Sequence, residues 1–186
     1  IHRYMHLEEK EIERPDGSTY IKETMIFPRF HQLDCVRKLV AAVGESGAGK
    51  NYLVQHSAGS GKSNSIAWLA HRLSSLHDAT DQKIFHSVVV ITDRLVLDQQ
   101  LQNTIFQFDH KDGVVKKIDE SSTQLAEALE DGVAIIISTI HKFGFIADKI
   151  GDLPDRRYAI IVDEAHSSQS GEMVRNMKAV LGASSI

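Results

Sequence analysis

Three stretches of the chain each hold an unbroken aliphatic run of three residues or more: Ile84 to Thr92, with Val88 to Ile91 at its heart, Val133 to Ser138 and Tyr158 to Val162. A strand with apolar residues at successive positions has no face to give to water, so it must be covered on both sides. The segments around these stretches carry apolar residues at helical spacing. They are Val36, Leu39, Val40 and Val43; Ile66, Leu69, Ala70 and Leu73; Leu97, Leu101, Ile105 and Phe108; Leu125 and Leu129; and Met173, Val174, Met177, Val180 and Leu181. Buried strands alternating with amphipathic helices predict an α/β fold of three layers, with a central, mostly parallel sheet and helices on both faces. Crossovers in such a sheet are right-handed, and ligands bind at the carboxyl ends of the strands.

Weaker signals complete the outline. Asn51 to His56 and Val114 to Ile118 read as short strands. Ser121 with Gln124 three residues later opens a helix as a capping box, and Gly132 ends that helix. Near the start, Pro15-Asp16-Gly17-Ser18 is a turn, and Ser18 to Phe27 alternates weakly, as a strand after a hairpin turn does. The run Glu8, Glu9, Glu11 and Glu13 with Lys10 is a solvated charge run. Residues 1–27 are therefore expected to be a linker or the tail of an upstream domain, and residues 28–186 a single domain. The chain opens on Ile1 and stops at Ile186 in a small-residue stretch, so both ends read as cut from something longer.

A net charge of −4 gives no global attraction to nucleic acid, so any such contact must come from local groups. One cysteine, Cys35, excludes an internal disulfide and fits a reducing cytoplasm; its neighbours Val36 and Leu39 suggest a buried structural thiol. No apolar run approaches the length of a membrane span, so no membrane partner is expected.

The most informative loop is Ala58-Gly59-Ser60-Gly61-Lys62-Ser63, set between a predicted strand and a predicted helix. Glycines let backbone N–H groups turn inward with no Cβ in the way, and the helix presents its positive N-terminus. Lys62 can reach the β- and γ-phosphates of ATP, and the Ser63 hydroxyl can ligate Mg²⁺. His56 stands where the general formula has its first glycine, so the turn must begin differently. A nearby stretch, Gly44-Glu45-Ser46-Gly47-Ala48-Gly49-Lys50-Asn51, also holds glycines and a lysine. It ends in Asn and is followed by a strand signal, so it reads as a plain flexible loop.

The strand Ala159-Ile160-Ile161-Val162 ends in Asp163-Glu164-Ala165-His166. Adjacent carboxylates beside a core are costly unless a cation or a reaction uses them. Asp163 is expected to hold Mg²⁺ through its water shell, Glu164 to orient or deprotonate the attacking water, and His166 to couple nucleotide state to movement.

Together these motifs resemble the DEAH-box style of superfamily 2 helicases and translocases. Four further stretches sharpen the likeness to the motor subunit of type I restriction enzymes: Phe27-Pro28-Arg29-Phe30-His31-Gln32, Thr92-Asp93-Arg94-Leu95-Val96-Leu97-Asp98-Gln99, Ser138-Thr139-Ile140-His141-Lys142-Phe143 and Asp163 to Gln169. The likeness covers roughly residues 28–182 and implies the first of two RecA-like motor domains. It implies that Gln32 reads the adenine edge and that Gln169 senses the γ-phosphate. It implies that Thr92, Asp93 and Arg94, with Thr139, His141 and Lys142, face DNA. A phosphate contact by Arg94 would add affinity without sequence information. Where His141 stands the family often has Gln. The implied partners are double-stranded DNA and the modification and specificity subunits of a restriction complex. The implied second motor domain, with its arginine finger, and the nuclease domain are not in this chain. Two other readings stay open at this point: another superfamily 2 DNA or RNA helicase, and a nucleotide-binding regulatory switch without motor activity.

Overall fold

The computed structural model describes residues 4–92, 95–108, 113–118, 121–146, 156–163 and 171–182. The chain begins with two antiparallel strands, β1 (His6–Glu13) and β2 (Thr19–Ile26). The turn between them is held by Asp16, whose carboxylate accepts from the Ser18 N–H at 2.9 Å and the Ser18 hydroxyl at 2.6 Å. Those two hydrogen bonds hold the Asp16 carboxyl below the ordinary aspartate value. The turn and the second strand are as the sequence implied; the first strand was hidden by its run of charges.

Helix α1 (Phe30–Ser46) and helix α2 (Lys62–Ser74) follow, then β3 (Ser87–Thr92), α3 (Leu95–Gln107), β4 (Val115–Lys117), α4 (Ser122–Asp131), β5 (Ile135–Thr139), α5 (His141–Ile146), β6 (Tyr158–Val162) and α6 (Gly171–Leu181). Strands β3 to β6 form one parallel sheet in the order β4-β5-β3-β6. The two central strands, β5 and β3, are buried at every position. Successive residues alternate between two cores, as the two-residue period of a strand requires. Val88, Val90, Ile135, Ile137 and Ala159 pack with Val43 of α1, Ala67, Ala70 and Leu73 of α2, and Leu101 and Ile105 of α3. Val89, Ile91, Ile136 and Tyr158 pack on the other face with Leu125 and Leu129 of α4, Phe143 of α5, and Met177 and Leu181 of α6. The expected three-layer α/β architecture is thus realised, with α1 to α3 on one face and α4 to α6 on the other.

Helix ends follow their local chemistry. The Ser121 hydroxyl accepts from the Gln124 N–H at 3.4 Å, and Gly132 closes α4 in the left-handed region at φ 69°. Arg156 adds a cation at that C-terminus, donating to Leu129 O at 2.5 Å. The hairpin is fastened to the helical layer by rings: His6 is buried, 3.8 Å from Phe108 and 6.2 Å from Trp68 between centroids.

One expected element is absent. Residues 51–56 form no strand, and Tyr52, Leu53 and Val54 are exposed, Leu53 at 87%. A strand exists only through a ladder with a neighbour. In the described sheet β6 pairs with β3 alone, and nothing pairs with residues 51–56. A short apolar run has strand propensity but cannot supply its own partner.

Candidate functional site

The carboxyl ends of the parallel strands bring one set of predicted residues together. Thr92 and Thr139 end β3 and β5 as register partners, and both are buried. Asp163 follows β6 directly, its N–H donating to Ile91 O at 2.9 Å, so it stands at the same edge of the sheet. The Asp163 side chain is half-buried. The Thr92 hydroxyl is buried with no hydrogen-bond partner among the described residues. His141 and Lys142 begin the short helix α5 rather than lying in a loop. His141 is exposed, whereas Lys142 Nζ donates to Ile118 O at 2.6 Å, capping the end of β4. Asp93, Arg94, Glu164, His166 and Gln169 lie outside the described residues.

The second set is the loop before α2. The backbone turns left-handed at Gly59 (φ 73°) and Gly61 (φ 81°, ψ 42°), and the helix starts at Lys62 straight out of the second glycine. No side chain among the described residues caps this N-terminus, and its first turn holds no acidic residue, while His71 and Arg72 lie in the last turn. The positive end of the helix dipole is therefore left for an anion, and Lys62 and Ser63 stand in its first turn. Ala58 precedes the two glycines at an exposed position, and the Ser60 hydroxyl is buried without a partner among the described residues. Helix α2 packs across β3, β5 and β6, so it lies over the strand that ends at Asp163.

Gln32 ties α1 to this loop. Its side chain is 3% exposed; Nε2 donates to Ser60 O at 3.2 Å and to Gly61 O at 2.9 Å, and Oε1 accepts from the Arg29 N–H at 2.8 Å. The last bond is the reach-back half of a capping box, which explains a glutamine in the first turn of α1. The resemblance implied an adenine contact for Gln32; in this structure every one of its polar atoms is engaged within the chain. His31 shares the task, with Nε2 3.0 Å from Ser60 O and its ring edge-on to His56 at 5.4 Å. Neither hold was visible in the sequence, because both acceptors are main-chain carbonyls some 29 residues away. Gly61 is required twice over: its φ is left-handed, and a Cβ there would run into the Gln32 amide nitrogen. Cys35, a few residues further along α1, is half-buried; burial pushes its thiol up, and the Asp34 carboxylate adds to the shift. The sequence suggested a buried thiol; the structure leaves it half-exposed.

Residues 31–186 match the family model of the SWI2/SNF2 ATPases. The chain belongs to that family. It is also similar to endonuclease subunits of type I restriction enzymes. One is a Mycoplasma pneumoniae protein described as the C-terminal part of the MpnIIP endonuclease of a type I restriction enzyme. The two are 32% identical over 134 residues, covering 68% of this chain and 61% of that one. It is 27% identical over 154 residues to the type I restriction enzyme SauCOLORF180P endonuclease subunit of Staphylococcus aureus (strain COL), covering 81% of this chain and 16% of that protein. The chain thus spans less than two thirds of either relative. Among solved structures, the UvsW helicase of bacteriophage T4 superposes with a TM-score of 0.54 at 14% identity, over 95% of this chain and 54% of that one. At that identity the likeness speaks for the fold, a helicase-type RecA-like layer structure. No helix among the described residues is long and apolar enough to cross a membrane.

Proposed function

We propose that this chain is the ATP- and Mg²⁺-binding half of a motor that moves double-stranded DNA, in the endonuclease subunit of a type I restriction enzyme. The observation that carries the nucleotide site is the start of α2: a helix N-terminus with no side-chain cap among the described residues and no acid in its first turn, entered through a left-handed Gly61 and followed at once by Lys62 and Ser63. The DNA and restriction parts of the reading rest on the type I relatives.

The residues present fit a magnesium nucleotide. The two left-handed glycines shape a backbone cradle, and the hydroxyls of Ser60 and Thr92, without a partner among the described residues, are buried at the loop and at the strand ends. Backbone N–H groups of residues 58–63 would hold the phosphates, with Lys62 neutralising charge on the outer two. Ser63 and Asp163 would hold the metal, Asp163 through its water shell. Glu164 would take or orient the proton of the attacking water, and His166 and Gln169 would relay the state of the γ-phosphate. When bound, ATP supplies the phosphoanhydride whose cleavage drives the motor. Thr92, Asp93, Arg94, Thr139, His141 and Lys142 form the proposed DNA-facing edge; Lys142 would have to release Ile118 O to take part. In the intact protein a second lobe would supply an arginine finger, and lobe movement would feed DNA cleavage in a complex with modification and specificity subunits. On this reading residues 1–27 are the connection to an upstream domain.

The test is an ATPase assay on the full-length protein with and without nucleic acid. Stimulation by double-stranded DNA but not RNA, with Glu164→Gln retaining ATP and stopping translocation, supports the motor. Stimulation by RNA alone indicates an RNA helicase. ATP binding with no nucleic-acid dependence indicates a switch. For the chain alone, slow turnover is expected; fast turnover abolished by Lys62→Ala would show that a second lobe is not needed.

A further inference from the structure

His31 belongs to no phosphate-binding formula, yet its ring is fastened to the phosphate loop. Its Nε2 lies 3.0 Å from Ser60 O. A carbonyl can only accept, so Nε2 carries the hydrogen. Ser60 O takes a second hydrogen bond from Gln32 Nε2 at 3.2 Å. The peptide that joins Ser60 to Gly61 is planar and trans, so fixing its carbonyl also aims the Gly61 N–H in the opposite direction. That N–H belongs to the loop proposed to cradle phosphate.

The two holders of Ser60 are not equivalent. For Gln32 to read an adenine edge by paired hydrogen bonds it must offer one donor and its Oε1 together. Both are now committed, Oε1 to Arg29 N and Nε2 to Ser60 O and Gly61 O. If the amide turns to the base, Gly61 O still accepts from Ser65 N–H at 3.3 Å within α2. Ser60 O then retains His31 alone among the described residues. The His31 ring is in turn set edge-on, 85° between planes, against His56, the residue that replaces the first glycine of the general loop formula.

We propose that His31 is a positioning residue of the nucleotide site, holding the Ser60 carbonyl, and through it the Gly61 N–H, when Gln32 exchanges the loop for the base. This rests on the nucleotide-binding reading above. The experiment is calorimetric titration with Mg·ATP and with Mg·tripolyphosphate at one fixed, mildly alkaline pH. The proteins are the unmodified chain, Lys62→Ala, His31→Phe and His31→Gln. The phenyl ring keeps the packing against His56 without a donor, and the glutamine amide restores one.

His31→Phe is expected to weaken ATP binding about threefold to tenfold, the worth of one solvent-accessible hydrogen bond, at an unchanged melting temperature. His31→Gln should recover most of the loss, and tripolyphosphate, which offers no base to draw Gln32 away, should lose less than ATP. In the ¹⁵N spectrum of the unmodified chain the His31 ring should carry its hydrogen on Nε2. ATP binding by His31→Phe equal to the unmodified chain would overturn the inference. So would failure of His31→Gln to rescue, equal losses for both ligands, or a hydrogen on Nδ1. Absence of nucleotide binding by the unmodified chain, or binding untouched by Lys62→Ala, would instead overturn the reading of the site itself, and the inference with it.

Discussion

Two loops of this chain use nearly the same residues to opposite effect. Gly47-Ala48-Gly49-Lys50 follows α1, and Gly59-Ser60-Gly61-Lys62 leads into α2. In both, the glycines are left-handed: 68° and 96° in the first, 73° and 81° in the second. The first closes a helix. Gly47 N–H donates to Val43 O at 2.8 Å, and Ser46 Oγ to Ala42 O at 2.8 Å, so donors are committed to the carbonyl end. That end of a helix carries negative partial charge and repels an anion. The second opens a helix, whose first-turn N–H groups point away from the helix body at positive partial charge. Glycine and lysine content therefore does not by itself mark a candidate phosphate loop; the polarity of the adjoining helix separates the two.

The sharpest way to break this comparison is to remove each lysine. Lys62→Ala should lower nucleotide hydrolysis by about a hundredfold or more, on the scale of losing one charged stabiliser of transferring phosphate, as read by phosphate release. Lys50→Ala should leave it unchanged; an equal loss would mean the helix-polarity argument is wrong. Removing a glycine from each loop comes next. Gly61→Ala combines a left-handed backbone with a collision against Gln32, and should cost about 1–3 kcal/mol in a denaturant melt as well as nucleotide affinity. Gly49→Ala meets open space, so only the backbone preference is lost, about 1 kcal/mol, with affinity intact.

Gln32→Leu sharpens the comparison from the α1 side. It leaves the part-buried Arg29 N–H and the loop carbonyls with fewer partners and should destabilise by about 1–3 kcal/mol. Faster amide exchange in residues 57–61, but not in 47–50, would show that Gln32 holds only the second loop. The smallest effect concerns Asp78, in the surface turn before β3. Its carboxyl is held below the ordinary value by the Thr80 hydroxyl first, then by the N–H groups of Gln82 and Thr80. A depressed folded value means the stabilisation is present above the unfolded value of about 3.9 and is lost as pH falls through the folded one. Asp78→Asn should slightly flatten the acid side of a plot of melting temperature against pH, and leave both glycine loops unaffected.

The fold was largely legible because its strongest signals are local. Continuous aliphatic runs announced β3, β5 and β6, and helical spacing announced α1 to α4 and α6. Ser121 and Gly132 marked both ends of α4 correctly, since caps act within a few residues. Two elements escaped. The first hairpin strand was hidden by charges that a solvent-facing two-stranded ribbon tolerates, and α5 is too short to show a period. Residues 51–56 carried a strand pattern without becoming one, because pairing is a property of the neighbour as much as of the segment.

At the candidate site, the residue types of the loop and the helix it leads into were readable, since glycine, lysine and serine before a helical spacing are local signals. The sequence by itself therefore determined the layered α/β class, the helix that begins at Lys62, and an acid placed directly after an aliphatic strand. Only the tertiary structure decided that Gln32 and His31 grip Ser60 and Gly61, that Lys142 caps β4, and that Thr92, Thr139 and Asp163 share one edge of the sheet. The physical reason is the partner: each of those contacts ends on a main-chain carbonyl or in a strand register. Main-chain groups are the same in every residue, so no spacing of side chains can announce them.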